Sequence, residues 1–140
     1  MRRAPMILLG AYLVAVAFAV FQPQPEAAVG AVVWVEEALV SWGLSETLVS
    51  GTRVEFVLNA LLFAPISFLG RWVWPKLRWT DWVAYAFVGS VAVELTQGLL
   101  FPDRSAQFVD VVSNTSGGLI GAVAAALVTR LKVPATGAVD

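Results

Sequence analysis

The chain has 140 residues, 59% hydrophobic and only 14% charged, with a formal net charge of -1. With a mean hydropathy of +0.78, it has too little polar surface for a soluble domain and reads as an integral membrane protein. Near-zero charge leaves no footprint for nucleic acid, and the lack of Cys and His excludes disulfides, thiolate nucleophiles, the common zinc sites and imidazole bases.

The chain opens Met1-Arg2-Arg3 and then runs uncharged from Pro5 to Phe21, about the length needed to cross a hydrocarbon core. Ala17-Phe18-Ala19 is formally a small-x-small cleavage site, but it lies inside the apolar run rather than after it, which favours an uncleaved first helix. Gln22-Pro23-Gln24-Pro25 breaks that helix, because neither proline can continue it.

From Ala27 to Leu44, Val32, Val35, Leu39 and Trp42 share one helical face, while Glu26, Gly30, Glu37 and Ser41 share another. This predicts an extracytoplasmic amphipathic helix on the membrane surface or against the bundle. A further span would carry Glu36 and Glu37 to the bilayer centre at a cost of about 3 kcal/mol each. Ser45 to Arg53 is a turn-rich bridge, and the second span is predicted from Val54 to Val73, with Pro65 inside it as a candidate kink. Arg71-Trp72-Val73-Trp74-Pro75-Lys76-Leu77-Arg78-Trp79 mixes cations and tryptophans as an interfacial anchor does. The third span is predicted over Trp82 to Leu100 and the fourth over Val109 to Leu131.

The expected fold is therefore all-α and polytopic, with four transmembrane helices and one extra amphipathic helix between the first two. Residues 1–132 form a single domain and 133–140 a disordered tail. If both termini are cytoplasmic, the inner side holds Arg2, Arg3, Arg71, Lys76, Arg78, Arg130 and Lys132, and the outer side only Arg53 and Arg104. The positive-inside rule supports that orientation in the plasma membrane.

The same orientation brings three polar pairs to one depth near the outer surface: Glu55 with Asn59, Glu94 with Gln97, and Asp110 with Asn114. Each has i,i+3 or i,i+4 spacing and so shares a helix face. Ionisable groups at such depth are costly unless paired or wet, and by default they mark a functional site. Arg104 sits in sequence between the second and third pairs as their candidate counter-charge. The other reading is structural, with buried amides and carboxylates joining helices and Arg104 neutralising Asp110 or Glu94. Ser113, Gly117, Gly121 and Ala125 recur every four residues as a seam for close helix approach.

Asn59-Ala-Leu-Leu-Phe63-Ala-Pro65, Glu94-Leu-Thr-Gln97, Arg104, and Asp110-Val-Val-Ser-Asn114-Thr-Ser-Gly117-Gly118 with Gly121 resemble, in order and spacing, the VanZ-like family. The likeness runs from about Val54 to Leu127. One departure is Ser67, where the family often has glycine. The family is named for a small membrane protein associated with resistance to the lipoglycopeptide teicoplanin, so the resemblance implies an envelope context rather than a reaction.

Three functional classes follow. A binding module would engage a membrane lipid, a lipid-linked envelope precursor or a glycopeptide through Glu55, Asn59, Glu94, Gln97, Arg104, Asp110 and Asn114. An enzyme would use Glu94 or Asp110 as general acid or base, with Arg104 stabilising developing charge. A scaffold would hold other membrane proteins. Binding is the favoured class. No cofactor is expected, and a metal would have to rest on carboxylates alone.

Overall fold

A computed structural model describes residues 3–22, 26–101 and 107–131. Arg2, Arg104, Lys132 and the tail 133–140 lie outside the described residues. Five helices follow in order: α1 (Arg3–Val20), α2 (Glu26–Ser41), α3 (Gly51–Val73), α4 (Trp79–Leu100) and α5 (Phe108–Leu131). All but α2 are long and apolar enough to cross a membrane, which makes this a multi-pass membrane protein.

The helix ends differ from the sequence expectation where local hydrogen bonds decide them. The amides of Arg53 and Val54 close on the Ser50 carbonyl at 2.8 and 3.0 Å, so α3 begins at Gly51 rather than Val54. At the start of α4, Asp81 Oδ2 accepts the Arg78 amide at 2.7 Å. That contact satisfies one of the donors a helix start leaves over, and α4 begins at Trp79 rather than Trp82. Helix α2 stops at Ser41, short of Leu44. Gly43 takes φ of 93°, the Leu44 amide reaches the Leu39 carbonyl and the Gly43 amide the Val40 carbonyl, a Schellman ending that needs a residue without Cβ penalty at that position.

Helices α3, α4 and α5 form the packed body. A Cβ on Gly117 would lie 2.0 Å from the Ala60 carbonyl oxygen, and one on Gly121 would lie 1.9 Å from that of Ala64. Both contacts advance by one turn together, so α3 and α5 run parallel with their backbones touching. The seam residues Ser113, Gly117, Gly121 and Ala125 are all buried, as a small-residue interface requires. Gly118 meets Ala86, and Asn114 meets Ser90, so α4 runs antiparallel to α5.

Helix α1 packs chiefly on α3 and is mostly exposed outside Leu9 and Val16. Its Tyr12 hydroxyl donates to the Leu62 carbonyl at 2.9 Å. That carbonyl adjoins Leu61, whose own oxygen loses its helical donor because Pro65 has none. Helix α2 rests on the start of α3 through Val32 and Glu36, both close to Gly51. Its expected apolar face is only partly used, since Trp42 lies past the helix end and is 79% exposed. Val29, Val33 and Trp34 form a second exposed apolar strip.

The turn after α3 is held by the Arg71 guanidinium, which donates to the carbonyls of Pro75 and Leu77. Trp74 and Trp79 are exposed, as an interfacial belt requires, whereas Trp82 is drawn inward over Gly70 and packs against Trp74 and Tyr85.

Gly121→Ala should destabilise the protein by about 1–3 kcal/mol, because the added methyl faces a backbone carbonyl and the helices must part. Gly10→Ala, where a Cβ meets nothing within 4 Å, should be neutral or stabilising by up to about 1 kcal/mol. Unfolding in mixed micelles compares the two, and equal stabilities would contradict the α3–α5 contact.

Candidate functional site

The parallel α3–α5 pair and the antiparallel α4 place the first turns of α3 and α5 and the last turns of α4 at one end of the bundle. Each of these turns carries polar side chains, and several of them meet. Asn59 Nδ2 donates to Asp110 Oδ1 at 2.9 Å, joining α3 to α5. Glu94 Oε2 accepts the Gln107 amide at 2.8 Å, joining the end of α4 to the residue before α5. Gln97 Nε2 donates to the Val20 carbonyl at 2.8 Å and joins α4 to α1. Asn114 Nδ2 donates to Ser90 Oγ at 3.0 Å inside the α4–α5 contact.

The environments of these groups differ. Glu94 and Asn114 are buried at 6% and 5% exposure, Asn59, Gln97 and Asp110 are half-buried, and Glu55 is exposed. Glu55 therefore departs from the expectation of a shared interior. It lies one turn before Asn59 on α3. Arg104 lies outside the described residues.

Helix electrostatics explains why two carboxylates gather here. Asp110 stands in the first turn of α5 and Glu94 receives the amide that precedes it, so both face the positive end of that helix. A cleft of about 280 Å³ opens beside Glu94, between α4 and α5, walled by Phe87, Val91, Leu95, Phe108 and Val111. Asn114 Oδ1 is buried and has no hydrogen-bond partner among the described residues. Among the described residues no group of three or more acidic side chains could hold a metal ion.

Sequence reasoning missed Ser90, Gln107 and Tyr12. Ser90 is fully buried and takes the Asn114 amide, but a serine in an apolar helix has no distinguishing pattern. Gln107 acts through its backbone, which no side chain advertises. Tyr12 reads as one aromatic among many apolar residues.

The VanZ/LLP1 family model matches residues 9–129, and the chain belongs to that family. No curated protein and no solved structure gives a match.

The Asn59–Asp110 bond should show as coupling of roughly 0.6 to 1.7 kcal/mol, the range of interhelical hydrogen bonds in membranes. A cycle of Asn59→Ala, Asp110→Ala and the double variant, read by reversible unfolding, measures it. Strict additivity would exclude the bond.

Proposed function

We propose that this VanZ-family protein binds a lipid-linked or glycopeptide-type ligand through the polar end of its bundle, on the extracytoplasmic face of the plasma membrane. The family's name ties that reading to teicoplanin resistance or another envelope function. The observation that carries it is the gathering of Asn59, Glu94, Gln97, Asp110 and Asn114 at one end of helices that are otherwise apolar. Ionisable and amide groups in membrane helices are costly, and function is the usual reason for their presence.

The orientation rests on charge. The polar end carries Arg53, while the opposite helix ends carry Arg3, Arg71, Lys76, Arg78 and Arg130. By the positive-inside rule the polar end faces outward and both termini face the cytoplasm.

Each group then has a task. Arg104, between α4 and α5 in sequence, grips a phosphate or carboxylate with its two-pronged donor set. Asn114 Oδ1 supplies a buried acceptor without a partner among the described residues, and the amides of Asn59 and Gln97 supply further polar contacts. Glu55 offers an exposed carboxylate one turn before Asn59. An enzyme acting on a lipid-linked precursor would use the same end, with Glu94 or Asp110 as acid or base.

A second reading, that the cluster is helix-joining structure alone, draws on the four side-chain bonds that each connect two different segments. The two readings separate on Arg104→Lys. A point cation still neutralises a carboxylate, whereas it reproduces a bidentate grip poorly. The expected outcome is normal accumulation in the membrane with loss of activity in a teicoplanin-susceptibility or lipid-binding assay, and the same for Glu94→Gln. Full activity of well-expressed Arg104→Lys returns the cluster to the structural reading.

Cysteine labelling tests the orientation cleanly, since the chain has no native Cys. A cysteine at Glu37 of α2 should label from outside the cell, and labelling only from the cytoplasm would reverse the bundle.

A further inference from the structure

A second cleft, of about 240 Å³, lies between α1 and α4 over α3, and none of the polar contacts above fills it. Val16 and Ala17 form one wall, Gly89 and Val93 the other, and Phe63 and Ile66 the floor. Facing small residues such as Ala17 and Gly89 ordinarily let membrane helices approach closely. Among the described residues, α1 nevertheless packs chiefly on α3.

The gap is held open between two fixed points. Tyr12 ties α1 to α3 at the Leu62 carbonyl, and Gln97 ties α4 to α1 at the Val20 carbonyl. Bare apolar walls would forfeit dispersion contacts. Water does not suit the space, because a buried water needs two to four polar partners and this lining is almost wholly apolar. An apolar cavity of about 150 Å³ already accepts benzene, so this larger one has room for hydrocarbon.

The length of the cleft narrows the choice of occupant. Trp82 lines it toward one end and Val93 toward the other, a separation of about 16 Å at the helical rise per residue. Trp82 stands three residues past the start of α4, so the cleft reaches past the bilayer midplane, and one extended chain entering at the outer rim can run its length. Val20 both lines the cleft and accepts the Gln97 amide, so the cleft's rim stands one turn from Glu94.

We propose that the α1–α4 cleft seats one acyl chain of an outer-leaflet lipid, whose polar head then lies at Gln97 and Glu94. The inference rests on the ligand-binding reading and orientation given above, and adds where the tail goes. The chain enters from the surrounding bilayer, lies against Phe63 and Ile66, and ends at the indole of Trp82.

Gly89 makes the test selective. A Cβ there meets nothing within 4 Å, so a larger side chain can enter the cleft without striking the fold. Leucine also restores the helix propensity that glycine lacks. Full-length protein is reconstituted in phosphatidylcholine vesicles doped with phosphatidylglycerol that bears a diazirine on one acyl chain, and cross-linked peptides are mapped by mass spectrometry. Wild type should concentrate cross-links on cleft residues of α1 and α4. Gly89→Leu should lose at least tenfold of that signal while its melting temperature holds or rises. Gly10→Leu, equally open but off the cleft, should keep it. Ala17→Leu fills the same space from the opposite wall and serves if Gly89→Leu does not accumulate.

Undiminished cross-linking in a folded cleft-filled variant, or cross-links spread evenly over every exposed helix face, overturns the proposal. The polar reading fails separately: unchanged head-group preference in Glu94→Gln removes the polar site and leaves the tail result standing.

Discussion

The backbone contact between α3 and α5 sets everything else in the body of the protein. Gly117 and Gly121 lie against the carbonyls of Ala60 and Ala64 with no room for a methyl group, so neither helix can rotate or slide by a residue. That register is what brings Asn59 to Asp110. In lipid there is no hydrophobic force between helices, and association rests on close packing and interhelical hydrogen bonds. Here one contact supplies the first and positions the second.

Much of this was legible in the sequence because polar residues stand out in apolar helices. Asn59, Glu94, Gln97, Asp110 and Asn114 could be named from spacing alone, and so could the four-residue recurrence of Ser113, Gly117, Gly121 and Ala125. Helix starts were less legible: the Ser50 carbonyl and the Asp81 carboxylate each gather amides that hydropathy does not count, and each moves a boundary by three residues. Glu55 shows a different limit. A helix face is readable from spacing, but whether that face meets a neighbour depends on the angle at which helices cross, and Glu55 stays exposed while Asn59 one turn on is bonded. Arg104, the residue on which the sequence reading leaned most, lies outside the described residues.

The α1–α4 cleft was illegible for a deeper reason. Ala17 and Gly89 look in sequence like residues for close approach, the same signal that correctly marks Gly117 and Gly121. What separates the two cases is not composition but attachment. Helix α5 has partners on two sides, α3 and α4, whereas α1 packs chiefly on α3 and bonds to α4 at Gln97.

The bundle thus has a closely packed body, α3 to α5, and a less closely packed α1, divided along the α1–α4 gap. The polar cluster stands on the closely packed part, where the glycine seam brings Asn59 to Asp110. The gap lies along α1, which meets the bundle chiefly through α3 and is tied at Tyr12 and Val20. Gln97 spans the division: its helix belongs to the closely packed body, and the carbonyl it grips belongs to α1. The α1–α4 gap therefore meets the polar end at Gln97, one turn from Glu94, while the glycine seam sets the register of Asn59 and Asp110.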